Sequence, residues 1–365
     1  MAVDARPTPD FPADVGVAIV CHNNRDQLGF TLASLDAAGC PRGAIRVINV
    51  ASTDGTVEWL GHDYPDVRVE TLDRNDGPSP GRNVGIRGCE HPYVFLMDAD
   101  VQVQPDTIQR LRAAMRTDAR IKIGSPIVVH AAAPDTIQYA EGSLHFICEA
   151  INPWMDRPLA ERGTDPRDIG VASGCGLLLD RRAAIEVGLF DERYFMGKDD
   201  GDFTHRVRLA GYRILELPDA LVVHQSRPRG TWLFYYQIRN RWHFMLKNYQ
   251  VRTLLLIAPC LLIHEPLQLV VLHAKGHGRA YWKAVAGLLG MLPSLGRDRA
   301  FTNRIRVAPD AALLKSHRLI VRDDLAGHAL VRVGKDAYEA FLRGYWWLLT
   351  HTILAGSAGG GPPVR

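Results

Sequence analysis

The chain has only six cysteines in 365 residues, and Cys21, Cys40, Cys89, Cys148, Cys175 and Cys260 form no C-x-x-C pair. That scatter argues against a disulfide framework and against a zinc site of the usual spacing, and predicts reduced, buried thiols. Net charge is only +3, too weak an excess to hold a polyanion, so no nucleic-acid partner is expected. No run reaches the roughly 18 uninterrupted apolar residues of a spanning helix. The best stretch, Thr253 to Ala274, is interrupted by His264, Glu265 and Pro266 and reads as a buried or membrane-surface element. The opening MAVDARPTPDFPADV has Asp and Pro where a secretory leader needs a basic start and an apolar run. A cytoplasmic chain with a flexible lead over 1–14 is therefore expected. No internal repeat is visible.

What is present is ordinary for a globular protein. Hydrophobic residues make up 47% and charged residues 23%, which excludes a disordered or fibrous chain, and the length suits one large domain or two smaller ones. From Val15 the chain alternates apolar strand, polar loop and amphipathic helix. Val15–Val20, Ala44–Val50, Val67–Thr71 and Tyr93–Met97 read as strands, and Arg25–Ala38 and Ser79–Cys89 as helices. Such alternation predicts an α/β fold with a mostly parallel sheet covered by helices. Ligands of such sheets bind beyond the carboxyl ends of the strands, here after Val20, Val50 and Met97. Past Thr231 the texture becomes aromatic, basic and helical. We place a boundary near 230, giving an α/β part at 15–230, a helical part at 231–355 and a disordered tail at 356–365.

Four constellations carry chemistry. Asp98-Ala99-Asp100 follows an apolar strand, and two carboxylates at that spacing suit Mg²⁺ or Mn²⁺ beside a diphosphate, or are solvated turn residues. Asp199-Asp200-x-Asp202 sets three carboxylates within four positions, whose repulsion suits a general base. Asp202 is expected to open a helix over Phe203–Ala210, leaving Asp199 or Asp200 to face the cleft. His224 ends the short strand LVV and is structural or a ligand. Arg239-Asn240-Arg241 meets phosphate or forms a solvated face.

The order and spacing of these pieces resemble glycosyltransferase family 2, whose members have the GT-A fold. The strongest stretches are YVFLMDADVQVQPDTIQRL and ASGCGLLLDRRAAIEVGLFDERYFMGKDDGDFTHRVRLAGYRI. LPDALVVHQS with YYQIRNRWHF is similar to the rhamnosyl- and galactofuranosyltransferase-like branches. The resemblance covers about Val15 to Tyr249. It implies a Rossmann-like, mostly parallel sheet flanked by helices with a helical C-terminal extension. It also implies an inverting, metal-dependent transfer from a UDP- or dTDP-sugar to a saccharide, lipid-linked or small-molecule acceptor. By the same resemblance Asp98 and Asp100 bind metal (Mn²⁺ or Mg²⁺) and donor diphosphate, His224 completes the metal shell, Asp200 is the base and Asp199 positions the acceptor. His22, Asn23, Asn24, Asn49, Ser52, Asp54, Arg82 and Asn83 fall where the family binds the nucleoside.

One position departs from the pattern. The second-strand loop is commonly D-N-x-S in the family, whereas Asn49-Val50-Ala51-Ser52 stands here. Asn both accepts and donates, which bears on the choice of base. The alternative function is a non-catalytic nucleotide-sugar-binding or scaffolding protein on the same fold. A dehalogenase-type phosphatase is disfavoured by Gln102 after DADV, and a nucleotidyltransferase by CHNNRDQ in place of a Gly-rich basic loop. In the C-terminal third, LLLIAPCLLI followed by Lys275, Arg279, Lys283, Arg297, Arg299, Arg304 and Arg306 suits an anionic membrane surface on the inner face of the cell membrane, or a subdomain packed on the core. Tyr345–Leu349 suits an interfacial patch or a homo-oligomer contact.

Overall fold

Val15–Cys21 is buried at every residue, as a strand covered on both faces must be, and it forms the middle of the main sheet. The computed structural model describes residues 10–226, 229–319 and 329–355. The flexible lead expected over 1–14 lies outside the described residues as far as residue 9, and the tail expected at 356–365 lies wholly outside them. The chain starts with β1 (Val15–Cys21), α1 (Arg25–Ala37), β2 (Ile45–Val50), α2 (Thr56–Asp63), β3 (Arg68–Leu72), α3 (Pro78–Gly88) and β4 (Tyr93–Asp98). Next come β5 (Val101–Val103), α4 (Thr107–Met115), β6 (Ile121–His130), β7 (Ala133–Tyr139), β8 (Ser143–His145) and β9 (Ala150–Ile151). Then follow β10 (Arg167–Asp168), β11 (Gly176–Asp180), α5 (Arg181–Glu186), α6 (Asp199–Leu209) and β12 (Arg213–His224). The C-terminal part holds α7 (Leu233–Asn248), α8 (Val251–Ala274), α9 (Gly278–Leu289), α10 (Leu292–Ile305), α11 (Asp310–Leu313), β13 (Leu314–Lys315) and α12 (Ala329–His351).

These elements form two compact units, neither continuous in sequence. The first holds everything up to 141, then 154–195, then the β12 segment from 212. The second holds 142–153, 196–211 and the helices from α7 onward. The division drawn from sequence at 230 differs from this, because α6, with Asp199 and Asp200, belongs to the second unit.

In the first unit the strand order is β10-β12-β6-β11-β4-β1-β2-β3, with β5 on β12 and β7 on β6. Pairing is parallel through β3-β2-β1-β4 and between β6 and β12, and antiparallel where β11 joins β4 to β6. The expected α/β sheet flanked by helices is therefore present, with a mixed half. One face carries Leu28, Leu32 and Leu35 of α1 and Ile108 and Leu111 of α4 against Val17, Ile19, Phe95 and Met97. On the other, α3 lies so close that a Cβ at Gly85 would stand 2.8 Å from the Ala18 Cβ. Burial of these apolar faces drives the layering.

The second unit is helical, with a small sheet β13-β8-β9. Phe146 stacks on Trp346 at 4.8 Å between ring centroids. The buried Asp202 carboxylate is enclosed by Arg206 Nε (3.0 Å), Lys247 Nζ (2.9 Å) and Asn248 Nδ2 (2.7 Å). Helix α8 runs unbroken for 24 residues through Pro259 and Pro266. His264 and Glu265 do not interrupt it, because Glu265 pairs with Arg241 and accepts from Tyr281, and His264 meets Tyr338. By length and composition alone it is able to cross a membrane, whereas the sequence favoured a buried or membrane-surface element over a span.

Three imidazoles of this unit, His145, His205 and His264, are pushed by burial from 6.5 to about 3. Between those values the unfolded chain binds more protons than the folded one, so their contribution is complete above pH 6.5 and lost as pH falls. The thermal midpoint is expected to drop from about pH 7 to about pH 5, each imidazole costing up to about 2 kcal/mol at the lower pH. Scanning calorimetry checks this, and a midpoint that stays level or rises would contradict it.

Candidate active site

The carboxyl edge of the first unit's parallel strands gathers three loops. After β1, His22 Nδ1 donates to the Val50 carbonyl at 2.6 Å, and the Asn23 amide donates to Ser52 Oγ at 2.9 Å. Asn23 and Ala51 both adopt left-handed backbone, at φ 51° and 50°. In the loop after β2, Asp54 accepts from the Arg25 amide (3.0 Å) and the Thr56 amide (3.2 Å), stapling it to the start of α1. Burial works to raise the Asp54 pKa, but the bonds from the Thr56 hydroxyl and the two amides outweigh it and hold the carboxyl below its usual range. Asn24 is half-buried at the head of α1 without capping it through its side chain.

Two expected nucleoside residues are used differently. Asn49 is buried, accepts from the Ser52 amide at 3.2 Å and donates to Thr71 Oγ1 at 3.4 Å. It braces the loop rather than presenting its amide outward. Asn83 is also buried; it donates to the Phe190 carbonyl (2.9 Å) and Glu192 (2.8 Å) and accepts from the Phe190 amide (2.9 Å). It is a clamp on the 190–192 segment, its three bonds facing into the fold.

The third loop carries the acidic pair. Arg82 Nη2 contacts both oxygens of Asp98, at 3.0 and 3.2 Å, while its guanidinium lies 5.3 Å from the centre of the Phe190 ring. Gly174 makes room for this, since a Cβ there would come within 2.9 Å of the guanidinium. Asp100 faces His224 instead, Oδ1 to Nε2 at 3.5 Å. β5 pairs with β12 so that His224 opposes Val101, and the Gln225 amide donates to the Asp100 carbonyl at 2.9 Å. His224 Nδ1 donates to Gln138 Oε1 at 2.8 Å, which in the neutral ring leaves the Nε2 lone pair aimed at a carboxylate. Two lone-pair donors face to face fit a cation between them. Among the described residues no three His, Cys, Asp or Glu side chains form a ready metal cage. A hard ion held by this pair would need further oxygen ligands from outside it.

In the second unit α6 begins at Asp199, four residues before the expected start, so Asp199, Asp200 and Asp202 all lie in its first turn. Lys198 precedes it in left-handed backbone at φ 66°. Its Nζ donates to the Cys148 carbonyl (2.8 Å) and to Glu149 (3.1 Å). Acids in a first turn are favoured by the free amides and the helix dipole. Asp202 does not cap; its fully buried charge is balanced by Arg206 and Lys247. Asp199 is buried, whereas Asp200 is half-buried and accepts from the Gly201 amide at 2.7 Å. Of the basic trio on α7, Arg241 is buried against Glu265 and Glu149, and Asn240 donates to the Met196 and Gly197 carbonyls at 3.1 and 2.7 Å. Only Arg239 stays half-exposed, against Tyr235 and Tyr236, so the trio is not a solvated face.

Residues 16–188 match glycosyl transferase family 2. The chain carries a family 2 glycosyltransferase domain. N-acetylglucosaminyl-diphospho-decaprenol L-rhamnosyltransferase of Mycobacterium tuberculosis is 29% identical to the transferase over 231 residues, 58% of this chain and 75% of that one. Poly-beta-1,6-N-acetyl-D-glucosamine synthase of Staphylococcus aureus is 24% identical over 225 residues, 58% of this chain and 51% of that one. Among solved structures, GalNAc-T7 with UDP, GalNAc and Mn²⁺ superposes with a TM-score of 0.52 at 18% identity, over 65% of this chain and 48% of that one. This chain spans about half the length of the last two. At that identity the structural likeness speaks for the fold.

The matched span holds the loops expected to border a nucleoside and Asp98 and Asp100, while Asp199, Asp200 and His224 lie beyond it. Sequence reasoning missed two groups that hold candidate residues in place, one in each unit. Gln138, which orients His224, is one polar residue in a strand and gives no periodic signal. The Lys198–Glu149–Arg241 network joins residues up to 92 positions apart (149 to 241), and no local pattern announces it. In that network burial works to raise the Glu149 carboxyl, yet Lys198, Arg241 and His264 together hold it at about 2.

Proposed function

We propose that the transferase moves a sugar, with inversion, from a UDP- or dTDP-sugar to a hydroxyl of a lipid-linked saccharide, with a divalent ion (Mn²⁺ or Mg²⁺) at Asp100 and His224. The observation that carries this is the 3.5 Å approach of Asp100 and His224, with Nδ1 of the imidazole committed to Gln138. A bound ion supplies Lewis-acid neutralisation of the departing diphosphate. Arg82 orients Asp98 and adds fixed positive charge beside it. His22, Ser52 and Asp54 hold the loops that would border the nucleoside. Asp200 accepts the proton of the acceptor hydroxyl, whose oxygen forms its bond to the anomeric carbon as the bond to diphosphate breaks, so one displacement inverts the centre. Asp199 positions the acceptor. The name of the mycobacterial relative, an N-acetylglucosaminyl-diphospho-decaprenol L-rhamnosyltransferase, supports a lipid-linked acceptor.

Two measurements test this. Thermal shift with UDP-, dTDP- and GDP-sugars, each with and without Mn²⁺, names the donor. Proton NMR of the product then reads the new anomeric linkage, and retention of the donor configuration would overturn the single-displacement reading. A binding protein without turnover, the alternative function, would give the thermal shift and no product. Gln138→Leu is expected to weaken Mn²⁺ binding about 10- to 100-fold by calorimetry in the presence of the matching nucleoside diphosphate, because the imidazole loses its orienting partner. Unchanged affinity would remove His224 from the metal set.

A further inference from the structure

The outer side of α8 exposes Val251, Leu255, Leu262, Ile263, Leu267 and Val270, with Leu255 at 70% and Leu262 at 76% exposure. A helix of seven turns in a water-facing fold normally shows a charged outer face. Its inner side is fully employed. Ile257, Cys260, Leu261 and Leu272 are buried, Glu265 pairs with Arg241 and accepts from Tyr281, and His264 meets Tyr338. From Val251 to Arg297 the sequence has one acid, Glu265, already consumed by Arg241. In the same interval Arg252, Lys275, Arg279, Lys283 and Arg297 are all exposed. Helix α12 runs antiparallel beside α8, bonded through Tyr345 to the Leu256 carbonyl (2.7 Å), and exposes Phe341, Trp347 and Leu348.

We infer that the outer face of α8 lies on an anionic lipid bilayer, its aliphatic side chains in the acyl boundary and the flanking cations among the headgroups. This deepens the lipid-linked-acceptor reading and rests on it for its purpose, though not for its physics. Charge selects the occupant. A second copy of this chain would set the same cations against one another, whereas an anionic surface complements them. Lying flat is favoured over spanning, because a span would carry the Glu265–Arg241 pair and the α9 cations Arg279 and Lys283 into hydrocarbon.

The test is flotation of the full chain with vesicles of phosphatidylcholine alone or with about one-third phosphatidylglycerol. At least about 10-fold more protein is expected on the anionic vesicles, and less as salt rises. Leu255→Glu with Leu262→Glu should cut that binding about 10-fold or more with an unchanged circular dichroism spectrum. Arg279→Glu with Lys283→Glu, on exposed positions of α9, should remove the anionic preference independently. Equal flotation of wild type and both variants, or none on either vesicle, would overturn the inference. So would a dimer in light scattering that the leucine variant splits, or resistance to alkaline extraction, which would mean a span. Flotation needs neither donor nor acceptor. A chain that floats and transfers nothing sinks the transferase reading alone, and one that transfers sugar without floating sinks only the docking.

Discussion

Asp200→Asn is expected to lower kcat by about 10²- to 10⁴-fold, the range for loss of a general base, while donor binding stays as in wild type. The side chain is half-buried at the first turn of α6, bonded to the Gly201 amide at 2.7 Å, a bond that the amide oxygen of Asn can also accept. The substitution therefore removes the basic oxygen without removing the helix start. Its neighbours behave differently. Asp202 is completely buried among Arg206, Lys247 and Asn248, so Asp202→Asn strands two cations and should unfold the second unit at a cost of about 3–5 kcal/mol. Steady-state kinetics beside thermal unfolding separates the two cases. A stable Asp200→Asn protein with wild-type kcat would remove Asp200 from the reaction, and Asp199 would be tested next.

Asp100→Ala should cost on the order of 10³-fold in kcat/KM, several kcal/mol, and should abolish the rescue by Mn²⁺ of EDTA-treated enzyme. Asp98→Ala should act otherwise, since both Asp98 oxygens are held by Arg82. It leaves Arg82 buried without its carboxylate, so lost donor affinity and lost stability should come together. Calorimetric titration with Mn²⁺ in the presence of nucleoside diphosphate distinguishes the two. Equal loss of metal binding in both variants would show that the two acids share the ion; undiminished binding in Asp100→Ala would refute its assignment.

The first unit was readable because its signals are local. Runs such as VGVAIVC and YVFLMD are too apolar to be half-exposed, and the loops beyond their carboxyl ends carry the polar residues. Where the reading failed, side-chain direction or distant pairing decided. Asn49 and Asn83 stand at nucleoside-loop positions, yet both turn inward to brace backbone, and spacing says nothing about which way an amide points. The start of α6 was missed because Lys198 is held in left-handed backbone and tied to Glu149, a partner 49 positions away. Pro218 and Asp219 concealed that β12 continues past an irregularity between Leu217 and Leu221. In α8 His264, Glu265 and Pro266 suggested a break, and the compensating Arg241 lies on another helix.

The central claim is metal-dependent sugar transfer, and the most direct measurement is release of nucleoside diphosphate from a UDP- or dTDP-sugar in the presence of a polyprenyl-diphosphate-linked saccharide. The assay is run with Mn²⁺, with EDTA, and with Asp200→Asn. Release that requires both metal and acceptor, and that falls in the variant, is the predicted result. Release that EDTA leaves untouched, or that Asp200→Asn leaves at the wild-type rate, would contradict the account.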